Sequence, residues 1–163
     1  MSDVQIIFAP TTTEKEKPLD LNDIWGEGFP PDTDWSIPEA YMALILSAAF
    51  ADGELAPEER QEIAALVMRS RTMKRLDQAE LAKVNAIVNE RLQARPEGLK
   101  EACGSLPNEM RLSVFAHCVD IVLADGELRQ AEADFLNQVT ALMRLDAEKA
   151  KQVLTVIMLK NRY

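Results

Sequence analysis

From Ile37 onward the apolar residues recur at helical rather than strand spacing, and short polar or glycine-bearing breaks cut the pattern into segments. Tyr41, Leu44, Ile45, Ala48 and Ala49 fall three and four apart, the spacing of one helix face. Ser36 ahead of Pro38 and Glu39 is a helix start, because a serine oxygen can accept from a first-turn N–H and proline fits the first turn. That helix is expected to run to about Ala51, where Asp52-Gly53 ends it. Pro57, Glu58 and Glu59 open a second helix with Ile63, Leu66 and Val67 on its apolar face. After a basic connection from Arg69 to Arg75, Asp77 and Glu80 read as a variant capping box for a third helix. Its buried face is Leu81, Val84, Ile87 and Val88, and Pro96 stops it. A short helix over 97–102 and a break at Gly104 to Pro107 follow. The next helix, Met110 to Ala124, places Leu112, Phe115, Ala116, Val119, Val122 and Leu123 on one side and ends at Asp125-Gly126. Two more are expected: Leu128 to Met143 on Phe135, Leu136, Val139 and Leu142, and a final one after Asp146 on Val153, Val156 and Ile157.

The order repeats. Ala-Asp-Gly-Glu-Leu stands at Ala51 to Leu55 and again at Ala124 to Leu128. A shift of 73 lays Glu59 on Glu132, Ile63 on Leu136 and Leu66 on Val139. Arg75-Leu76-Asp77 recurs as Arg144-Leu145-Asp146 at a shift of 69, so the second connection is shorter, and Val84, Ile87 and Val88 then fall on Val153, Val156 and Ile157. The pattern predicts an all-α class with about seven helices in two three-helix repeats, 37–93 and 107–160, related by a pseudo-twofold and joined by a linker over 97–104. This helical domain, 37–163, is preceded by an arm, 1–36, that holds Pro10, Pro18, Pro30 and Pro31 and a Val4 to Phe8 apolar run. Trp25, Phe29 and Trp35 in the arm are expected to pack on the body, since bulky rings are costly to leave in water.

Composition narrows the class of partner. The formal net charge of -9 and a pI near 4.7 argue against nucleic acid, whose phosphates need a basic face. Cationic partners, metal ions or a basic protein surface fit better. Cys103 and Cys118 make no disulfide framework and no CxxC pair, so they are expected to be buried small hydrophobes of a reducing compartment. Met42, Met68, Met73, Met110, Met143 and Met158 fall mainly at core-like positions. The first residues lack a secretory signal, and no apolar stretch approaches the roughly 20 residues of a membrane span, so a cytoplasmic location without membrane insertion is expected.

The duplicated turn is the candidate site. Asp52 and Asp125 lie near expected helix C-termini, where the macrodipole opposes negative charge, whereas Glu59 and Glu132 sit in first turns that favour it. With Gly53 at the sixth position of a calcium loop, Asp52 takes the fifth, Leu55 the eighth and Glu59 the twelfth; Asp125, Gly126, Leu128 and Glu132 repeat that half-pattern. The first and third positions would be Ala48 and Phe50, or Ile121 and Leu123, so neither turn is a complete loop. Asp52, Glu54, Glu59, Asp125, Glu127 and Glu132 could together hold one divalent cation if the turns approach each other, or could simply be solvated. Calcium or magnesium suits such oxygens better than zinc, given the scarcity of His and Cys. His117 and Cys118 point to different sides of a helix, and His117 is expected to be structural or superficial. No phosphate loop, nucleophile elbow, dinucleotide fingerprint or HExxH is present, and no nucleophile–base pair stands out. The basic connection, Arg69, Arg71, Lys74 and Arg75, could contact an anion or be a solvated loop.

The helix–Ala-Asp-Gly-Glu-Leu–helix unit with its downstream glutamate, used twice, resembles the TerB-like tellurite-resistance family over roughly 37–160. Relatives of that family include the N-terminal part of DjlA-type membrane-anchored co-chaperones. The resemblance implies an all-α fold of pseudo-twofold halves and a role in tellurite resistance and stress response. It also implies acidic residues, here Asp52, Glu59, Asp125 and Glu132, that bind a metal or a cationic surface. A non-enzymatic binding module follows, with a divalent cation, no organic cofactor, and a protein partner, a membrane-associated one included. A protein-interaction module without metal and a carboxylate-dependent metal hydrolase are the other readings. Tellurite itself, an oxyanion, would be repelled by the acidic site.

Overall fold

The computed structural model describes residues 34–53 and 57–162, without the side chains of 57–60 and 62. Seven helices and no strand occur among the described residues: α1 (Ile37–Ala49), α2 (Pro57–Arg69), α3 (Gln78–Ala94), α4 (Gly98–Ser105), α5 (Asn108–Val122), α6 (Gln130–Leu142) and α7 (Ala147–Arg162). The all-α class is as the periodicity predicts. None of these helices is long and apolar enough to cross a membrane.

Helix α1 is the hub, and its sequence explains why. Ala40, Ala43, Ala48 and Ala49 alternate with Tyr41, Leu44 and Ile45, and all are buried, so the helix is apolar on nearly every side. A helix of that kind must be enclosed, and α1 packs against α2, α3, α4, α5 and α6. Its start is the expected one: Ser36 Oγ accepts the Glu39 N–H at 3.2 Å. α3 starts as expected too, with Asp77 Oδ1 accepting the Glu80 N–H at 2.8 Å. Helix α5 is the second central element, burying Val114, Phe115, Cys118, Val119, Ile121 and Val122 against α1, α2, α6 and α7.

Trp35 is buried just before α1. Its indole Nε1 donates to Glu101 Oε1 at 3.2 Å, and the Arg91 guanidinium lies 5.1 Å from the ring centroid. The other arm residues singled out above, including Trp25 and Phe29, lie outside the described residues.

Several boundaries and faces differ from expectation. α1 and α5 end at Ala49 and Val122, two residues before the expected Ala51 and Ala124. The caps fall on Phe50 and Leu123, whose apolar side chains extend the helical pattern into the turn. α4 runs through Gly104 to Ser105, past the expected end at 102, and Ser105 Oγ donates back to the Glu101 carbonyl at 2.7 Å. α6 begins at Gln130 rather than Leu128. On α7 the buried seam is Ala150 and Ile157 with Val153 and Leu154 partly covered. Val156 sits about 100° round from Ile157 and is 64% exposed, against expectation. Met68 and Met158 likewise face solvent, whereas Met42, Met73 and Met143 are in the core.

Candidate functional site

The two Asp-Gly turns have the same backbone. Phe50 caps α1 at φ −94°, ψ 8° and Leu123 caps α5 at φ −97°, ψ 9°. The Gly53 N–H then donates to the Phe50 carbonyl at 2.9 Å, and the Gly126 N–H to the Leu123 carbonyl at 2.9 Å. Gly53 at φ 88° and Gly126 at φ 83° occupy the left-handed region, which a Cβ would strain. Because each helix stops early, Asp52 and Asp125 lie beyond the last turn, where the helix dipole has faded. The expected electrostatic conflict with the helix end is therefore weak.

A residue outside the pentapeptide touches both turns. Arg129 Nη1 donates to Asp52 Oδ2 at 2.9 Å, and Arg129 Nη2 lies 3.5 Å from Asp125 Oδ2. One guanidinium thus bridges the two copies of the motif. Asp52 is well covered, its side chain 12% exposed, while the Arg129 side chain is 55% exposed. Asp125 also serves its own turn: Oδ1 accepts the Glu127 N–H at 3.0 Å.

Glu132 is the buried member. It stands in the first turn of α6, and its Oε1 accepts the Arg129 backbone N–H at 3.0 Å. The residue is 4% exposed, so it is no solvated helix-start charge. Burial raises its pKa above the ordinary carboxylate value, and the charges of Asp125 and Asp52 raise it further, against the Arg129 N–H and guanidinium. Among the described residues Oε2 of Glu132 has no hydrogen-bond partner.

Of the six residues expected at the site, Asp52 and Asp125 both meet Arg129, and Glu132 lies near enough for their charges to raise its pKa. Glu127 is exposed and joins them only through its backbone. Glu54 and the side chain of Glu59 lie outside the described residues. Among the described residues, no group of three or more acidic, His or Cys side chains is placed to hold a metal ion; Asp52 and Asp125 converge on the Arg129 guanidinium. Arg129 was legible in one respect. It is the first position after the shared pentapeptide at which the copies differ, with Ala56 its counterpart in the first.

The other titratable groups are placed elsewhere. His117 Nδ1 is 3.0 Å from the Tyr41 hydroxyl, linking α5 to α1, and its ring meets the Tyr41 ring edge-on. Burial lowers the His117 pKa; Asp120 opposes that shift and Arg69 adds to it. Cys103 and Cys118 are free and buried; burial lifts the Cys103 thiol to about 12, and Cys118 is likewise pushed up. An apolar groove of about 450 Å³ lined by Met42, Leu46, Ile63, Val67 and Leu81 does not include the acidic turns. A cleft of about 330 Å³ beside the second turn is lined by Leu123, Gly126, Leu128, Met158 and the end of α7.

The family model described as tellurite resistance protein TerB matches residues 38–155. No curated protein and no solved structure matches the chain.

Proposed function

The chain belongs to the TerB tellurite-resistance family, and from that premise we propose that it is a non-enzymatic binding module whose paired turns present one cation-binding position. The observation that carries this reading is the convergence of Asp52 and Asp125 on a single positive group, with the half-bonded carboxylate of Glu132 buried next to them. Oxygen-only ligands suit a hard divalent ion, calcium or magnesium. When bound, such an ion would neutralise the facing carboxylates; Asp52, Asp125 and Glu132 would hold it, with Glu54 and Glu59 of the first turn as further oxygens. Its service to the cell would be in tellurite resistance and stress response, by ion-dependent docking of a partner and not by contact with the oxyanion.

The neighbour relations of the helices support two related halves. Exchanging α1 with α5, α2 with α6 and α3 with α7 maps the α1–α3 contact onto α5–α7, α1–α2 onto α5–α6, and α2–α5 onto α1–α6. Only α4, which touches α1, α3 and α6, has no counterpart. A pseudo-twofold near the α1–α5 contact would place the two turns side by side, as a shared site requires.

The test is calorimetric titration of metal-stripped protein with calcium, magnesium, manganese and zinc. One site for calcium or magnesium, weakened in Asp52→Asn with Asp125→Asn, is expected. Absence of binding, or binding indifferent to both substitutions, removes the cation reading. A metal-free docking module is the second reading, favoured by the exposed Val156, Met158 and Leu159 on α7. It predicts partner capture that survives chelator.

A further inference from the structure

We propose that the apolar groove of about 450 Å³ between α2 and α3 is the docking site of this chain's own acidic arm segment, Leu19 to Phe29, with Trp25 as its anchor. The groove exists because α2 and α3 each pack on α1 but scarcely on each other. Met42 and Leu46 of α1, Ile63 and Val67 of α2 and Leu81 of α3 line it. The second half of the chain closes the equivalent seam. At the repeat offsets of 73 and 69, Leu46, Ile63 and Leu81 fall on Val119, Leu136 and Ala150. Those three are buried, whereas Leu46, Ile63 and Leu81 are only partly covered. The arm precedes the half whose seam is open.

Three observations select the occupant. The arm joins the described body at α3 itself: both Asp34 carboxylate oxygens accept from Arg95 at 2.9 Å, and the Asp34 carbonyl accepts from Arg91 Nη1 at 3.0 Å. Trp25 stands nine residues ahead of Asp34 and so reaches up to about 30 Å, more than the roughly 25 Å length of α3. Charge is the second observation. From Pro18 to Phe29 the chain carries Asp20, Asp23 and Glu27 and no cation; from Ile63 to Leu76 it carries Arg69, Arg71, Lys74 and Arg75 and no acid. This basic connection lies between Val67 and Gln78, both on the groove wall, so its cations stand at one end of the groove. Arg71, Lys74 and Arg75 are exposed and make no ion pair among the described residues. The third is the apolar content of the segment. Leu19, Leu21, Ile24, Trp25 and Phe29 interleave with its acids, which suits an apolar wall with a charged rim. A tether this short also holds the segment at an effective concentration on the order of millimolar, which favours it over a second copy of the chain.

The experiment places a nitroxide spin label on Asn22→Cys in the full chain and reads the methyl NMR signals of Met42, Leu46, Ile63 and Leu81. Cys103 and Cys118 are buried, and the parent chain controls for their labelling. The groove methyls are expected to lose most of their intensity, while those of Val156, Met158 and Leu159 on α7 keep theirs. Trp25→Ser in the arm and Ala64→Arg at an exposed groove position should each restore the groove signals, with far-UV circular dichroism unchanged. Absent broadening, or broadening spread over the surface or centred on α7, overturns the proposal. So does groove broadening that survives Trp25→Ser. Broadening that appears only when spin-labelled chains are mixed with isotope-labelled ones assigns the groove to a second copy and also overturns it. Should Ala64→Arg not fold, Trp25→Ser decides.

Discussion

Arg129 is bonded to Asp52, a residue 77 positions earlier in the chain, at 2.9 Å, and thereby ties the second acidic turn to the first. This single contact joins the two copies of a motif duplicated in sequence. Its energetic weight is modest, because the Arg129 side chain is 55% exposed and water screens the pair. Arg129→Gln is expected to lower metal-free stability by no more than about 1 kcal/mol, and Asp52→Asn, at a side chain only 12% exposed, by at least as much. A double-mutant cycle in urea should return a coupling of about 0.5–1 kcal/mol. A coupling near zero would mean that the bridge does not hold the turns in solution.

Glu132 should show the opposite sign. Its pKa is raised in the fold, mainly by burial, so the ionised form is favoured less in the folded chain than in the unfolded one. The resulting penalty is absent below the ordinary carboxylate value, grows as pH rises through it, and is complete above the raised value. Glu132→Gln keeps an oxygen for the Arg129 N–H and removes the charge. It is expected to stabilise the metal-free protein at pH 7, to lose that advantage near pH 4, and to weaken calcium binding. Denaturant midpoints at the two pH values, with and without calcium, check all three.

The two turns should respond alike to loss of their glycines. A Cβ at Gly53 or Gly126 would meet nothing within 4 Å, so the cost is conformational, set by φ values of 88° and 83°. Gly53→Ala and Gly126→Ala should each cost about 1–2 kcal/mol. Asparagine, which tolerates the left-handed region better, should cost less at both. Thermal melts of the four variants test the equivalence.

Much of this architecture is legible from residue spacing, and the exceptions have physical causes. Ser36 and Asp77 announce their helices because capping is a local interaction between a side chain and an amide three residues on. Phe50 and Leu123 mislead because a cap residue with an apolar side chain continues the helical pattern while its backbone leaves the helix. Val156 was placed inside by its repeat position, yet α7 offers the core only a narrow seam through Ala150 and Ile157. At the candidate site, the duplicated aspartates are the residues that Arg129 joins. The burial of Glu132 and the reach of Arg129 were not legible, since both depend on how the second turn lies against the first.

The Tyr41–His117 contact should make stability pH-dependent. His117 titrates below its ordinary value of 6.5 in the fold, chiefly through burial. Its contribution is therefore complete above about 6.5 and declines as the pH falls below it, because the unfolded chain takes up the proton first. Wild-type protein should lose stability between pH 7.5 and 5.5, and His117→Gln should lose less. Tyr41→Phe, which removes the hydroxyl 3.0 Å from Nδ1, should cost about 0.5–1.5 kcal/mol at pH 7.5. Urea midpoints at both pH values provide the comparison.

The central claim, that Asp52, Asp125 and Glu132 surround one cation position, is tested most directly at the side-chain carboxyl carbon of Glu132. Its NMR signal, assigned through Glu132→Gln, can be followed through a pH titration of metal-stripped protein and again with saturating calcium. Without calcium the signal should titrate above the ordinary carboxylate range, and with calcium the titration should move to lower pH as the ion holds the charged form. A Glu132 titration that calcium leaves unchanged would contradict the account.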